Sequence, residues 1–256
     1  MTTLRRQRWQ QGVGWGFLLL FFVASSGWAA TYYVDPAGNN NNSGLSTASA
    51  WKTLSKVQDF SYRTGFRPGD NILMKRGGVW RERLITYSSG AEGQPITFDA
   101  YGSGAKPKIL SSRNDLTWTS IGANLWATPT LNLTPNSNVG FILLTAEVTD
   151  PVIGVNVGKV VQNASDLDTE GEFFWEAMPQ LGATYGRVVI YTTHASGPAV
   201  RWPLMEVGTG DRGVHILNQS YITVRNIDAR YGTGGSFRIG ELSHHITLDA
   251  CEASDG

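Results

Sequence analysis

The sequence predicts an all-β fold in which parallel strands coil on one another, closed at the front by a helix and interrupted by a long β-rich insertion. Three observations carry this. Two segments near the end match when Tyr221 is aligned with His245, Tyr221 to Gly232 (YITVRNIDARYG) on His245 to Gly256 (HITLDACEASDG). Within them apolar and polar residues alternate, the period of a strand with one buried face. Finally, 30 glycines and 10 prolines punctuate the chain and leave little room for long helices.

Residues 1–30 read as an export leader. Arg5, Arg6 and Arg8 precede an apolar run from Val13 to Ala24, and the small residues Gly27 and Ala29 suit cleavage after Ala29. The run is short beside the about 20 apolar residues of a membrane span, so no stable membrane insertion is expected after cleavage; an uncleaved anchor is the alternative. Without the three arginines the chain carries 18 basic against 21 acidic groups.

Thr31 to Asp35 predicts a strand, Ala37 to Gly44 a loop, and Trp51 to Phe60 an amphipathic helix with Trp51, Leu54 and Val57 on one side and Ser49 as N-cap. A coil of strands leaves its first rung open, and this helix is its natural cover. The spacing that joins Tyr221 to His245 also joins Ile72 and Met74 to Ile96 and Phe98, which carries the repeat to the front. From Ile96 to Ile222 is 126 residues, and removing one coil leaves about 102 that do not belong to it. The chain therefore divides into a leader (1–30), a cap with the first coils (31–111), a β-rich insertion (112–206) and further coils (207–256). Apolar runs at Val139 to Leu144, Val152 to Val161 and Val188 to Tyr191 supply strands to the insertion. A third strand of each coil is read at Val214, His215, Ile216 and, at a spacing one position shorter, at Phe237, Arg238, Ile239. The repeat stops at Gly256 without a cap, so the sequence is expected to be the front of a longer chain.

Composition excludes some functions. Lys and Arg number 21 against 21 Asp and Glu, and the cluster Arg81, Glu82, Arg83 is neutralised from within, which argues against a nucleic-acid partner. A single cysteine, Cys251, excludes an intrachain disulfide framework and a Cys-based zinc cluster, and its alignment with Ile227 makes it a core residue. No phosphate loop, GxSxG elbow or HExxH is present. Sequons begin at Asn41, Asn132, Asn163 and Asn218.

The runs YYVDPAGNNNNSG, AWKTLSKV, RPGDNILMKRGGVWRERL, QPITFDAYGSGAKPKIL and SYITVRNID resemble the N-terminal part of secreted right-handed parallel β-helix proteins of the pectate-lyase-like superfamily, over residues 31–111 and 207–256. LDTEGEFFWEA and GRVVIYTT are similar to an insertion in many such proteins. The resemblance implies a right-handed parallel β-helix, a secreted (extracellular or periplasmic) monomer and a polysaccharide partner. It implies a lyase acting by β-elimination before a glycoside hydrolase, with a non-catalytic carbohydrate-binding or surface protein as the alternative, and it allows Ca²⁺ as a cofactor. Fold alone does not select among these.

No complete catalytic constellation is visible. His215 and Arg238 are outward members of one strand on successive coils and are the substrate-binding candidates for a groove, the arginine able to pair a uronate carboxylate; two solvated side chains on a sheet face are the plain alternative. Asp228 and Glu252 occupy equivalent positions one rung apart, a spacing of about 4.8 Å, and could hold Ca²⁺ or form an acid pair. Arg225 and Arg230 nearby offer ordinary ion pairing instead. His244 and His245, adjacent in extended chain, are expected to point apart, and His194 stands alone in the insertion.

Overall fold

The computed structural model describes residues 28–133, 139, 141–144, 156–208, 213–232 and 235–254. Most of the leader, part of the run from Val152 and the final Asp255 and Gly256 lie outside the described residues. The chain is mostly β. In order, its first strands are β1 (Thr31–Val34), β2 (Asn71–Lys75), β3 (Val79–Trp80), β4 (Leu84–Ile85), β5 (Ile96–Tyr101) and β6 (Lys108–Leu110). The middle contributes β7 (Ser112–Arg113), β8 (Thr119–Gly122), β9 (Leu125–Ala127), β10 (Leu131–Asn132), β11 (Ile142–Leu144), β12 (Asn156–Val157), β13 (Phe173–Ala177), β14 (Tyr185–Tyr191) and β15 (Glu206–Gly208). The last are β16 (Val214–Leu217), β17 (Ser220–Arg225), β18 (Asp228–Arg230), β19 (Phe237–Gly240), β20 (His244–Asp249) and β21 (Glu252–Ser254). The α-helices are α1 (Leu54–Arg63) and the single turn α2 (Pro198–Arg201).

Three sheets are wholly parallel, with orders β1-β2-β5-β17-β20, β19-β16-β4 and β21-β18-β6-β3. Their pairing stacks residues in columns: Tyr32, Ile72, Phe98, Val224 and Leu248 form one, and Ile96, Ile222 and Ile246 another. Leu84, Val214 and Phe237 form a third in the neighbouring sheet. Most of these are fully buried and share one core, and each buried aliphatic side chain contributes about 2 kcal/mol. The sequence spacings are the observed registers: Ser220 pairs with His244 and Ile222 with Ile246 between β17 and β20, while Val214 pairs with Phe237 between β16 and β19.

At the front the register differs from the sequence reading. Ile72 pairs with Phe98 and Met74 with Ala100, so each partner lies two positions beyond the one expected, Ile96 and Phe98. A slip of two leaves every side chain on the same face, so alternation cannot distinguish the two registers. The helix is also displaced. Trp51 is not helical; its N–H donates to the Tyr33 carbonyl and its own carbonyl accepts from Asp35, which ties it to β1. The helix starts at Leu54, and Thr53 rather than Ser49 caps it, its hydroxyl accepting the Lys56 N–H at 3.1 Å. Leu54 and Val57 reach the common core, Trp51 stacks on Tyr32 at 5.0 Å, and the Trp80 Nε1–H donates to the Lys52 carbonyl, so α1 and its approach lie against the first strands of all three ladders.

Left-handed backbone recurs at matching places in the paired strands and the turns beside them: Asn218 and Glu241, Tyr221 and His245, Asn226 and Ala250. Asparagine tolerates this region, while a tyrosine or histidine there costs about 1–2 kcal/mol, held by ladder bonds on either side. The left-handed turn at His245 overturns the expectation that the two histidines point apart. Their Nδ1 atoms are 2.7 Å from each other, and the His245 ring stacks on Tyr221 at 4.5 Å.

The described residues of 112–208 form two antiparallel sheets, β12-β11-β15-β7 and one in which β14 pairs β9, β10 and β13, with β8 beyond β9. They bury their own core around Ile142, Phe173, Val188, Ile190 and Trp202. Glu206 joins them to the segment between β3 and β4, accepting from Arg81 at 2.5 Å, and it also accepts the hydroxyl of Ser112 on the neighbouring β7 at 2.8 Å.

Candidate functional site

β13 and β14 pair antiparallel, with Phe173 opposite Ile190. The approach to β13 (168–172) therefore lies beside the exit from β14 (191–195), and the Tyr191 N–H donates to the Glu172 carbonyl while the Gly171 N–H donates to the Tyr191 carbonyl. Gly197, at φ +80°, turns the chain under the Trp126 ring, where a Cβ would sit 2.8 Å from its carbons, and delivers Arg201 on α2 to the same place. The result is an open depression of about 650 Å³ lined by Asp168, Thr169, Glu170, Tyr191, Thr193, His194, Ala195 and Arg201.

Glu170 anchors it. Its carboxylate accepts from the Thr192 hydroxyl at 2.7 Å, the Thr193 N–H at 2.8 Å, the Thr193 hydroxyl at 3.2 Å and Arg201 Nε at 3.4 Å. Burial pushes this carboxyl up, but the Thr193 and Thr192 donors and Arg201 outweigh it and hold it below the usual carboxylate range. The Arg201 guanidinium also lies over the Trp202 ring at 5.7 Å. The His194 Nδ1 accepts the Ser196 N–H at 3.3 Å, so the neutral imidazole carries its proton on Nε2 and is a donor there. Asp168 accepts the Thr169 hydroxyl at 2.8 Å. Beneath them Glu172 accepts from Lys159 at 2.7 Å and from the Asp168 and Thr169 N–H groups, which set the loop's shape and hold this carboxyl low as well.

A ring of fixed donors and acceptors beside an aromatic side chain suits a ligand rich in hydroxyl groups. Glu170 in it and Glu172 beneath it are both held below the ordinary carboxylate range and act as hydrogen-bond acceptors.

The candidates read from the sequence lie elsewhere. His215 and Arg238 are direct register partners on β16 and β19, both half-buried, with Ile85 on the other side of His215. Asp228 and Glu252 are also register partners, on β18 and β21. Their carboxylates are separately engaged: Arg230 Nε holds Asp228 at 2.7 and 3.0 Å, and Lys106 holds Glu252 at 2.6 Å. Asp228 is buried and Glu252 exposed. With both of its oxygens on a guanidinium Asp228 does not fit Ca²⁺, and no group of three or more metal-ligating side chains occurs among the described residues. Arg225 pairs with Asp249 at 3.3 Å. His194 is not alone, since pairing of β13 with β14 brings Asp168 and Glu170 to it. The signal that could have located it is the pair of strand-like runs FFWEA and YGRVVIY, which as a hairpin set their outer flanks side by side.

No model of a known protein family matches the chain. Over 95 residues, 35% of its length, it is 39% identical to the lacto-N-biosidase of Bifidobacterium longum subsp. longum, and the matched stretch is 6% of that protein. Among solved structures it superposes on that of XylC in complex with xylose with a TM-score of 0.58 at 14% identity, covering 88% of this chain and 42% of that one. The GH136 lacto-N-biosidase from Eubacterium ramulus gives a TM-score of 0.42 at 19% identity over 88% of this chain and 27% of its own. The likeness to XylC is one of fold, and the last superposition is too weak to carry an argument. The chain thus spans less than half of these proteins.

Proposed function

We propose that this chain is part of a carbohydrate-active protein, that its three parallel ladders are turns of a right-handed parallel β-helix, and that the depression around Glu170 binds a glycan. The 39% identity over 95 residues with a protein named as a biosidase carries the reading. Handedness follows from the strong preference of parallel crossovers for the right hand. The ladder register that joins β5 to β17 supports treating 112–206 as an insertion into the coil. Glycoside hydrolysis replaces β-elimination as the favoured reaction, because the relative's name is that of a glycoside-cleaving enzyme. This chain supplies a binding surface to it, the hydrogen-bonding groups around Glu170. The His215–Arg238 column belongs to the same proposal as a second line of contact along the coil. Export by residues 1–30 completes it; no helix among the described residues is long and apolar enough to cross a membrane.

Titrating the full chain with lacto-N-tetraose, xylotetraose and trigalacturonate tests it. At least one neutral oligosaccharide is expected to bind, and Arg201→Ala or His194→Ala to weaken binding tenfold or more. No binding to any of the three, or binding untouched by both variants, overturns the site. In the longer protein, new reducing ends without unsaturated products are expected; unsaturated products would restore β-elimination.

A further inference from the structure

A second feature points to a ligand on the cap helix. Leu54, Val57 and Ser61 of α1 face inward, and the opposite stripe carries Ser55, Gln58, Asp59 and Tyr62, spaced so that they share one side. This stripe meets the segment 83–87 and, with Arg83 and Tyr87, lines an open depression of about 520 Å³. Its floor holds two exposed aromatic rings. Tyr62 is 72% exposed and Tyr87 47%, with ring centroids 5.3 Å apart at 69°. An edge-to-face pair leaves ring surface open to solvent, and two adjacent tyrosines so exposed forgo the burial their rings would otherwise gain.

The backbone beneath the pair is tied together. The buried Ser61 hydroxyl accepts the Tyr87 N–H at 2.8 Å and lies 3.0 Å from the Ser88 hydroxyl and 3.2 Å from that of Thr86. Ser88 in turn accepts the Phe66 N–H at 2.9 Å. This buried hydroxyl cluster fastens 86–88 to α1 and so fixes the backbone that carries the two tyrosines. At the far end of the stripe, Ser55 donates both its N–H and its hydroxyl to Glu82 at 2.7 Å.

We infer that the Tyr62–Tyr87 pair is a stacking platform for a neutral pyranose, a glycan-binding subsite separate from the depression around Glu170. The apolar CH face of a pyranose packs on a tyrosine ring while its hydroxyl groups reach a polar rim, here Ser55 and Gln58. The rim is mixed in charge: Asp59 is paired with Arg63 at 2.5 Å and Arg83 also lines the depression, which leaves no net charge to favour a uronate over a neutral sugar. The inference rests on the proposed function only in taking a sugar as the ligand.

Saturation-transfer NMR and calorimetry on the full chain with xylotetraose, lacto-N-tetraose and trigalacturonate test it. Tyr62→Ala and Tyr87→Ala are each expected to weaken binding of a neutral tetrasaccharide at least fivefold, and Tyr62→Trp to retain it. Arg201→Ala is expected to leave this binding event in place. Loss in the Arg201 variant with wild-type affinity in both tyrosine variants overturns the platform and spares the depression; the reverse pattern supports the platform and overturns the depression. Absence of binding to any sugar sinks both. Since Tyr62 is mostly exposed, Tyr62→Ala keeps the fold and decides the matter if Tyr87→Ala does not.

Discussion

Ile96 and Ile222 are direct partners in one parallel ladder although the whole antiparallel region lies between them in sequence. Both are fully buried, in a column that continues to Ile246. The strands before and after the antiparallel region are thus neighbours in a single core, and Glu206 ties that region to the segment between β3 and β4 through Arg81.

Ile222 should therefore be among the costliest positions to truncate. Ile222→Ala is expected to destabilise the protein by about 3 kcal/mol through lost burial and the cavity left behind. Ile239 is 43% exposed on β19, and Ile239→Ala should cost under about 1 kcal/mol. Urea denaturation of the two variants measures the difference, and equal costs would remove Ile222 from the core.

Gly90 has no room for a side chain. A Cβ there would stand 2.4 Å from the Tyr221 carbonyl oxygen and 2.8 Å from that of Gln94, both backbone atoms that cannot swing aside. Its N–H also donates to Ser220 at 2.9 Å. Gly90→Ala is expected to cost about 2 kcal/mol, read from thermal unfolding, whereas Gly93→Ala, in open space at φ +70°, should cost about 1.

Glu170 links stability to pH. Its folded-state pKa lies below the ordinary 4.5, so the stabilisation it contributes is present above 4.5 and lost as pH falls through the folded value. Glu170→Gln should show a smaller fall in melting temperature than the wild type between about pH 6 and about pH 3. The fall is not abolished, since Asp35, Asp115 and Glu172 are lowered in the same sense. An identical fall in both proteins would count against the hydrogen bonds assigned to Glu170.

Asp228 and Glu252 share a register and differ in burial. The Asp228 side chain is 3% exposed and that of Glu252 55%. Removing a buried partner leaves Arg230 without its carboxylate, so Asp228→Ala should cost about 3 kcal/mol, while Glu252→Ala should cost under about 1. Chemical denaturation checks both; neither loss should respond to added Ca²⁺, because Arg230 occupies the Asp228 oxygens.

The sequence by itself determined the β class, the parallel pairing of Ile222 with Ile246 and of Val214 with Phe237, and the long interval between Ile96 and Ile222, because each is written in the alternation of apolar residues. It placed Cys251 correctly against the core, where burial pushes its thiol up. Tertiary structure decided what alternation cannot express. A period of two is blind to a slip of two, so the Ile72–Phe98 register came only from packing. A helix boundary depends on which backbone groups are already taken, and those of Trp51 are committed to β1. The depression at Glu170 draws on residues 168–170, 191–195 and 201, which the pairing of β13 with β14 and the turn at Gly197 bring together. Asp228 and Glu252 look alike in sequence; their different burial arises from what packs against each strand and not from the residue itself.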